Sequence, residues 1–494
     1  MSASTDSVGE VRLRALNRSP LRSDGAFVLY WMVAARRLGW NFALQRAVET
    51  ARVLRKPLVI LETLRVGHRW ASARFHRLVL DGMAEHKEAL EGSPIVYYPY
   101  VEVEGGAADG LILSLAGKAC AIVTDDYPCT PLPQEQEALA QRIPTRVELV
   151  DGNGLLPMRS VDRAYTSAYH FRRALQKQLP EQLAEWPMES PLSAELPPAP
   201  EKIVAKEMSR WPMTSSDEMS SACFLGKLPI NQDVLPVASP GGPGEACKTL
   251  NSFLESRLER YGQERNEPSA GVTSGLSPAL HLGHISVHQI FDALADQEVW
   301  DPGRVSEDAA GKRSGWWGLS ENAEIFLDEL VTWRELGFNM CAHRDDYECF
   351  ESLPHWARRT LETHEADARP HLYSLEELEQ ARTEDPLWNA GQRELLREGR
   401  IHGYMRMLWG KNILKWTTRP RDALSVMIEL NNKYAIDGRD PNSYSGIFWI
   451  LGRYDRPWPE RPVFGKVRAM TSDSARRKFR LDRYLERFGE EGDD

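Results

Sequence analysis

The chain has 494 residues, which is too long for a single hydrophobic core and predicts two or three domains. Its hydrophobic fraction of 42% and charged fraction of 27% are typical of a soluble globular protein, and no apolar run reaches the ~18 residues of a membrane helix. The formal net charge is −10, so any surface that binds nucleic acid has to be local.

The N-terminus lacks the apolar core of a signal peptide, and we predict a disordered arm over residues 1–24. The six cysteines are scattered without a CxxC pair, so neither a disulfide framework nor a zinc ribbon is indicated. Cys341, His343 and Cys349 lack a fourth ligand, and their spacing fits no common metal site. We therefore expect no metal site and a reducing, cytoplasmic location.

Residues 25–180 alternate between short apolar runs, near residues 26, 57, 94, 119 and 145, and helix-like segments. This alternation predicts a Rossmann-like α/β domain whose doubly wound parallel sheet is joined by right-handed crossovers. Such sheets bind ligands at the carboxyl ends of their strands. No GxGxxG motif follows the first strand, so an ordinary dinucleotide site is not indicated.

Residues 181–245 contain ten prolines between Pro187 and Pro243, and we expect an interdomain linker with little regular structure. From residue 246 to residue 488, strand signals almost vanish and helical patterns follow one another. The second domain is therefore predicted to be all-α and large enough to enclose a bulky cofactor.

Residues 400–484 carry 18 Lys and Arg against 8 Asp and Glu, and ten of the 15 Trp lie from Trp300 onward. A basic, aromatic-rich segment on an acidic chain indicates local contact with nucleic acid. The alternatives are a solvated helical surface and, for each tryptophan, packing in the core. The spacing predicts helices over residues 401–416 and 421–434, and it places Trp409 and Trp416 on one helix face.

Residues 273–277 read TSGLS, just ahead of a predicted helix. Hydroxyl groups and free backbone N–H groups at the start of a helix suit a phosphate. The alternative is an ordinary helix N-cap, because the same residue types favour that position.

Six motifs resemble those of the class II cyclobutane pyrimidine dimer photolyases and follow that family's order. In this sequence they read TSGLSPALHLGHIS, FLDELVTWREL, DPLWNA, HGYMRMLWGKNILKWT, LNNKYAIDGRDPNSY and ERPVFGKVRAM. The resemblance extends from about residue 17 to about residue 488. It implies an α/β domain followed by an all-α FAD-binding domain, and light-driven repair of DNA by electron transfer from reduced FAD. A cryptochrome-like flavin photoreceptor that signals to a partner is the alternative.

The resemblance also implies which residues form the site. Those that would hold FAD are Tyr261, Thr273, Ser274, Gly275, Leu276, Ser277, Asn431, Asp437 and Asp440. Those that would transfer electrons are Trp388, Trp409 and Trp416. A dimer flipped out of the duplex would be hydrogen-bonded by Glu329 and enclosed by Trp333, Met407 and Trp449. The amide of Asn431 suits a flavin because it can both donate and accept hydrogen bonds.

The residues that the resemblance implies for binding the DNA backbone are Lys466, Arg468, Arg476, Arg477, Lys478 and Arg480. The family's α/β domain often holds a deazaflavin antenna, but the segment YWMVAARRLGWNFAL follows the family pattern only in part. The segment ILGRYDRP, at residues 450–457, also departs from the usual version, which carries a cysteine and a histidine. This departure predicts that lesion preference can differ. We expect a monomer.

Overall fold

The N-terminal part folds around a six-stranded sheet in the computed structural model, which describes residues 7–200 and 202–490. The strands are β1 Leu13–Ala15, β2 Phe27–Met32, β3 Leu58–Leu64, β4 Val96–Val101, β5 Ala119–Asp125 and β6 Val147–Val150. Their order in the sheet is β1-β6-β5-β2-β3-β4, and all pairings are parallel except that of β1 with β6. The predicted parallel sheet is confirmed.

Helices cover both faces of the sheet. They are α1 Phe42–Leu54, α2 Ala73–Ala89, α3 Ala107–Ala116 and α4 Leu132–Ala140. Successive residues of β2 point to opposite faces, so Phe27 and Leu29 join one core cluster while Val28 and Tyr30 join the other. Burial on both faces explains why the strands read as continuous apolar runs instead of alternating ones.

The N-terminal segment is ordered from residue 7, and the predicted disordered arm is wrong for residues 7–24. A 3₁₀ helix at Glu10–Arg12 leads into β1, which pairs with β6 and covers its edge. The buried guanidinium of Arg12 donates to the carbonyl oxygens of Asp151 and Leu155 at 3.1 and 3.0 Å. A three-residue strand has too little periodicity to be recognised in a sequence. Residues 1–6 of the predicted arm lie outside the described residues.

The connection between the two domains differs from the prediction at its start. Helix α5 Ala168–Gln182 packs in the core of the helical domain, where Phe171 lies in the same cluster as Phe253. The α/β unit therefore ends before α5 and not at residue 180. The Pro-rich segment that follows contains the 3₁₀ turn Pro191–Ser193 and three short helices, α6 Ala205–Arg210, α7 Ser216–Ser220 and α8 Ala222–Lys227.

The remaining chain is helical, as predicted. Its helices are α9 Pro243–Ser256, α10 Leu258–Glu264, α11 Ser277–Leu282, α12 Val287–Gln297, α13 Glu321–Leu327, α14 Arg334–His343, α15 His355–Thr363, α16 Leu375–Glu379, α17 Pro386–Glu398, α18 Gly403–Trp416, α19 Pro420–Tyr434, α20 Pro441–Ile450, α21 Ser472–Lys478 and α22 Asp482–Phe488. The chain also forms a π-helical turn at Asp328–Trp333 and 3₁₀ turns at Pro302–Arg304 and Phe350–Ser352. Among the described residues, none of the helices combines the length and the apolarity that a membrane span requires.

One arginine of α2 joins the α/β unit to the helical domain. Arg74 is buried and donates to the carbonyl oxygens of Leu395 at 3.3 Å and Tyr434 at 2.7 Å. These carbonyls lie in the last turns of α17 and α19, where a helix leaves its carbonyl groups without intrahelical partners. A cation at this position is favourable because the partial charge there is negative. Arg74 thus fixes the ends of the two helices that carry Trp388 and Asn431.

Candidate functional site

Three tryptophans from two helices form a continuous buried cluster. Trp388 of α17 contacts Trp416 of α18 edge to face, with ring centroids 5.4 Å apart. The indole N–H of Trp388 donates to the carbonyl oxygen of Trp409 at 2.9 Å, and that of Trp409 donates to Gln392 at 2.8 Å. None of the three indoles is more than 2% exposed. The predicted common face of Trp409 and Trp416 therefore meets α17, and the structure brings the three residues together.

Tyr373, which the sequence analysis missed, continues this cluster toward solvent. Its ring contacts Trp416 edge to face at 5.2 Å, and its backbone N–H donates to the carbonyl oxygen of Trp416 at 3.2 Å. Tyr373 is half-buried, whereas Trp416 is only 2% exposed. Tyr373 lies in a loop just before α16, and a single aromatic residue in a loop carries no periodic signal.

Asn431 and Asp437 lie at the end of α19 and in the turn that follows it. The amide nitrogen of Asn431 donates to the Ser443 hydroxyl at 2.8 Å, while its amide oxygen has no hydrogen-bond donor within the described part of the chain. The Asp437 carboxylate pairs with the guanidinium of Arg406 at 3.2 Å. Arg406 was missed because a lone arginine on a helix reads as surface charge. The end of α19 and the turn after it thus carry the amide of Asn431 and the ion pair of Asp437 with Arg406, and both Asn431 and Asp437 are buried.

Asp440 is engaged by the protein itself. Its carboxylate caps α20 by accepting the N–H of Asn442 at 2.8 Å, and it also accepts the hydroxyl of Tyr127 at 3.1 Å. His281 lies 3.5 Å away. Burial is the largest single influence and raises the pKa of Asp440, but His281, the charge of Arg334 and the N–H of Asn442 together leave this pKa below its ordinary value. The carboxylate therefore orders the turn after Asp437, and its direct contact with a cofactor stays a prediction.

The loop of residues 273–277 lies beside two arginines that the sequence analysis did not single out. Arg257 donates to the carbonyl oxygen of Thr273 at 2.8 Å, and Arg400 Nη1 lies 4.0 Å from the position that a Cβ on Gly275 would take. Burial and the nearby charge of Arg400 lower the pKa of Arg257. Gly275 has a φ of 73°, which only glycine adopts without strain. Two guanidinium groups beside a hydroxyl-rich loop make an environment that suits phosphate.

Tyr261 and the two serines of the loop make ordinary structural contacts. Tyr261 is buried on α10 between Phe253 and Phe326, each with its ring centroid 5.6 Å away. Ser274 accepts the N–H of Leu276 at 3.4 Å, and Ser277 opens α11. These contacts hold the loop in place, and the chemical role of its hydroxyl groups stays a prediction.

Glu329 and Trp333 lie in the π-helical turn between α13 and α14. The chain is helical here, as predicted for residues 246–488, but the helix is locally widened, a feature that is frequent at functional sites. The Glu329 carboxylate forms an ion pair with Arg265, which the sequence analysis missed because it lies 64 residues away in the chain. Burial raises the pKa of Glu329, and the charge of Arg265 acts against this rise.

Trp449 of α20 and Met407 of α18 are both half-buried. Two cations lie near the Trp449 ring, with Lys411 Nζ 5.6 Å and Arg468 Cζ 5.0 Å from its centroid. Lys411 is fully buried and donates to the carbonyl oxygen of Ile450, and burial lowers its pKa to about 7. Its position in an apolar helix pattern concealed this residue from sequence analysis.

The predicted DNA-binding residues fall into two groups. Arg468 forms an ion pair with Asp455 at 3.1 Å and lies 4.4 Å from the ring of Trp458, so its guanidinium already has protein partners. The exposed residues are Lys466, Arg476, Arg477, Lys478 and Arg480, which we call the basic patch. Helix α21 carries three of them in its last turn.

The carboxyl ends of the parallel strands contain a small cavity. Asp125 accepts the backbone N–H groups of Val33, Ala34 and Ala35 at 2.8–3.0 Å, so a carboxylate of the protein fills the first strand-to-helix loop. The cavity beside it has a volume of about 30 Å³ and is lined by Arg37 and Arg334. This volume holds two or three water molecules, far less than a tricyclic chromophore. Binding of a deazaflavin antenna stays a prediction.

Within residues 7–200 and 202–490, no group of three or more His, Cys, Asp or Glu side chains is arranged to hold a metal ion. Cys341 is buried and Cys349 is exposed, and both are free thiols. The site described above therefore consists of aromatic, amide and ion-paired groups.

Comparisons with known proteins agree with this arrangement. The deoxyribodipyrimidine photo-lyase of Methanothermobacter thermautotrophicus is 34% identical over 96% of this chain and 97% of its own length. The deoxyribodipyrimidine photo-lyase of Arabidopsis thaliana is 34% identical over 98% of this chain and 93% of its own. Cryptochrome-2 of Arabidopsis thaliana is 29% identical over only 42% of this chain.

Among solved structures, the class III photolyase of Agrobacterium tumefaciens has a similar fold, with a TM-score of 0.66 and 19% identity. The match covers 94% of this chain and 86% of that one. None of the protein-family models that were compared matches the chain.

Proposed function

Because the chain belongs to the deoxyribodipyrimidine photo-lyase family, we propose that it is a class II enzyme that repairs cyclobutane pyrimidine dimers in DNA with light and bound FAD. One observation carries this proposal. Arg406, Met407 and Trp409 stand almost consecutively on α18. Arg406 pairs with Asp437, and Trp409 belongs to the tryptophan cluster. Met407 would line the lesion slot, which we define as Glu329, Trp333, Met407 and Trp449. Three functions therefore meet on one turn of one helix.

The residues present fit FAD. The Nε atoms of Arg257 and Arg406 are buried and have no hydrogen-bond partner in the described ranges, and the amide oxygen of Asn431 accepts no hydrogen bond there. Arg257 and Arg400 would hold the diphosphate beside residues 273–277, while Asn431 would face the flavin ring. Reduced FAD, when bound, supplies the electron that light makes available for splitting the dimer.

The lesion slot is formed by half-buried residues from different parts of the chain. Trp333 and Trp449 would supply flat apolar walls, and Met407 follows Arg406, the partner of Asp437, on α18. Glu329 supplies a hydrogen-bond acceptor, and the charge of its partner Arg265 opposes the rise in pKa that burial causes. A flipped pyrimidine pair needs such a slot, which is apolar on its faces and polar at one edge.

The tryptophan cluster would restore reduced cofactor by passing electrons inward. Tyr373 and Trp416 are in edge-to-face contact, as are Trp416 and Trp388, and Trp388 is hydrogen-bonded to the backbone of Trp409. Indole and phenol side chains can be oxidised, and short steps between fixed rings favour transfer. The basic patch would bind phosphates of the duplex without reading its sequence.

Repair is favoured over the photoreceptor alternative because the cryptochrome match covers less than half of this chain. The test is to mix the chemically reduced protein with an oligonucleotide that contains one thymine dimer and to illuminate it with blue light. We expect intact thymines to appear in the light and not in the dark. A protein that binds FAD and DNA but leaves the dimer intact would contradict the proposal.

A further inference from the structure

The segment ILGRYDRP, which departs from the family pattern, has an unusual backbone. Gly452 has a φ of 105° and Tyr454 has a φ of 66°. A bulky residue seldom adopts the left-handed region, and such residues persist only where the surrounding structure holds them. Residues with such a backbone conformation cluster at ligand-binding sites, so the contacts of the Tyr454 side chain can indicate a role in binding.

The neighbours of Tyr454 fix this backbone firmly. Arg453 is 1% exposed, donates to the carbonyl oxygen of Tyr347 at 2.7 Å and to the Ser352 hydroxyl, and lies 3.7 Å from the ring centroid of Phe448. A Cβ on Gly452 would come within 2.9 Å of Ala357. The loop therefore cannot shift easily, and Tyr454 is held in one place.

From this position, the Tyr454 side chain contacts one wall of the proposed lesion slot, Trp333, and the helix that carries the other wall, Trp449. Its ring contacts Trp333 edge to face, with centroids 6.4 Å apart and an interplanar angle of 73°. Its hydroxyl lies 3.4 Å from the hydroxyl of Ser445. Ser445 precedes Trp449 by four residues on α20, so the two lie on one face of that helix. Tyr454 therefore spans from one wall to the helix face that carries the other.

We propose that Tyr454 determines the specificity of the lesion slot by fixing the separation between Trp333 and Trp449. This inference rests on the proposed function, because it assumes that a flipped pyrimidine dimer enters between these rings. A slot whose width is fixed by tyrosine should bind a crosslinked dimer in preference to undamaged bases.

The test compares Tyr454→Phe, Tyr454→Ala, Ser445→Ala and the double variant Tyr454→Phe/Ser445→Ala in the full-length protein. Tyr169→Phe, at an exposed tyrosine of α5, is the matched control. For each protein, the dissociation constants are measured for one duplex with a thymine dimer and for the same duplex without damage. Bound FAD and its light-driven reduction are recorded for each variant as well.

We expect Tyr454→Ala to lower the ratio of the two affinities by about tenfold, since an edge-to-face aromatic pair accounts for about twofold to tenfold. Tyr454→Phe should lower it by about threefold, as expected for a neutral hydrogen bond. FAD content and its photoreduction should not change, because the contacts that the variants remove are those with Trp333 and Ser445.

Two outcomes would overturn the inference. The first is a Tyr454→Ala protein that keeps the affinity ratio of the wild type. The second outcome concerns the double variant and decides the question if Tyr454→Ala does not fold. Residues in contact should couple, so the inference fails if the effect of the double variant equals the sum of the effects of Tyr454→Phe and Ser445→Ala. If the wild type itself fails to split dimers while it binds FAD, the proposed function fails instead, and the two failures are distinguishable.

Discussion

The tryptophan cluster and the proposed lesion slot, which consists of Glu329, Trp333, Met407 and Trp449, use the same residue type in opposite ways. Trp388, Trp409 and Trp416 are at most 2% exposed, and two of their indole N–H groups donate to protein oxygens. Trp333 and Trp449 are half-buried, and their neighbours are charged groups and a loop with left-handed residues. Buried tryptophans keep fixed distances, whereas half-buried ones leave one face of the ring open to a ligand.

This difference has an energetic side. The cluster lies in the largest apolar core of the helical domain, where each ring adds to stability. Trp449 lies beside the buried amino group of Lys411, and Trp333 lies beside the left-handed backbone of Tyr454, both of which cost stability. Binding sites are often drawn from the less stable parts of a fold for this reason. The two regions should therefore respond differently to mutation, which gives four predictions.

The largest effect is expected in the cluster. Trp409→Phe should abolish light-driven reduction of oxidised FAD, because phenylalanine has nearly the same shape but is far harder to oxidise. Chemically reduced Trp409→Phe protein should still repair dimers. The measurement is the loss of flavin absorbance under illumination with a reductant present. Trp300→Phe, at a buried tryptophan of another core cluster, is the control and should photoreduce normally. Normal photoreduction of Trp409→Phe would remove this residue from the electron path.

The second largest effect is expected at Glu329 of the proposed lesion slot, and it concerns repair instead of photoreduction. Glu329→Ala should keep photoreduction and weaken repair by about tenfold to a hundredfold, since a hydrogen bond to a charged group contributes about 1.5–3 kcal/mol. Dimer splitting at limiting DNA concentration measures this loss. Glu259→Ala, at an exposed glutamate of α10, should repair like the wild type. Unaltered repair by Glu329→Ala would show that the slot has been placed wrongly.

A smaller effect is expected in the basic patch, on the binding of DNA. Replacing Arg476, Arg477 and Lys478 with alanine should flatten the dependence of log affinity on log salt by up to ~0.9 for each lost phosphate contact. Binding of undamaged duplex at several salt concentrations gives this slope. Alanine at Arg52 and Arg55, which are exposed on the α/β domain, is the control and should leave the slope unchanged. An unchanged slope in the triple variant would exclude α21 from the interface.

The smallest effect concerns the loop of residues 456–466, which carries Trp458 and Lys466. His364 of the loop after α15 contacts Asp367 at 2.6 Å and Glu460 of this loop at 2.8 Å. Hydrogen bonds to these two carboxylates raise the pKa of His364. A raised pKa means that the contribution of His364 to stability is complete below its ordinary pKa of about 6.5 and is lost as pH rises through the raised value.

The test compares the melting temperatures of wild type and His364→Gln between pH 5.5 and 8.5. The wild type should exceed the variant by the largest margin at pH 5.5, and the margin should shrink as pH rises. His170→Gln, at an exposed histidine of α5, should show no such trend. A margin that grows with pH would contradict the charge pairing. The tryptophan cluster contains no comparable group, so photoreduction should not follow this profile.

Sequence reasoning was strongest where one element is enough to define a feature. The predicted helices over residues 401–416 and 421–434 correspond to α18 and α19 within two residues at each end. The seven-residue spacing of Trp409 and Trp416 correctly indicated a shared face, because helical periodicity is a local property. Continuous apolar runs likewise identified the parallel strands, since burial on both faces removes alternation.

Sequence reasoning was weakest where a partner comes from far along the chain. The pairs Arg406–Asp437 and Arg265–Glu329, and the contact of Tyr373 with Trp416, are separated by 31, 64 and 43 residues. No local pattern marks such a pair, because each member looks like an ordinary charged or aromatic residue. The same reason explains why strand β1 and the packing of α5 differ from the prediction: only the edge of β6 and the core of the helical domain decide them.

The sequence by itself determined the order of the α/β and helical parts, the parallel sheet and the long helices, because these features depend on periodicity and composition within single segments. The residues proposed for the site came from the family resemblance. Only the tertiary structure decided which groups have partners. It engaged Arg468 with Asp455 and Asp440 with Tyr127, and it left the amide oxygen of Asn431 open within the described residues. Hydrogen bonds and ion pairs depend on distances of a few ångströms, which the fold sets by packing segments that are remote in the chain.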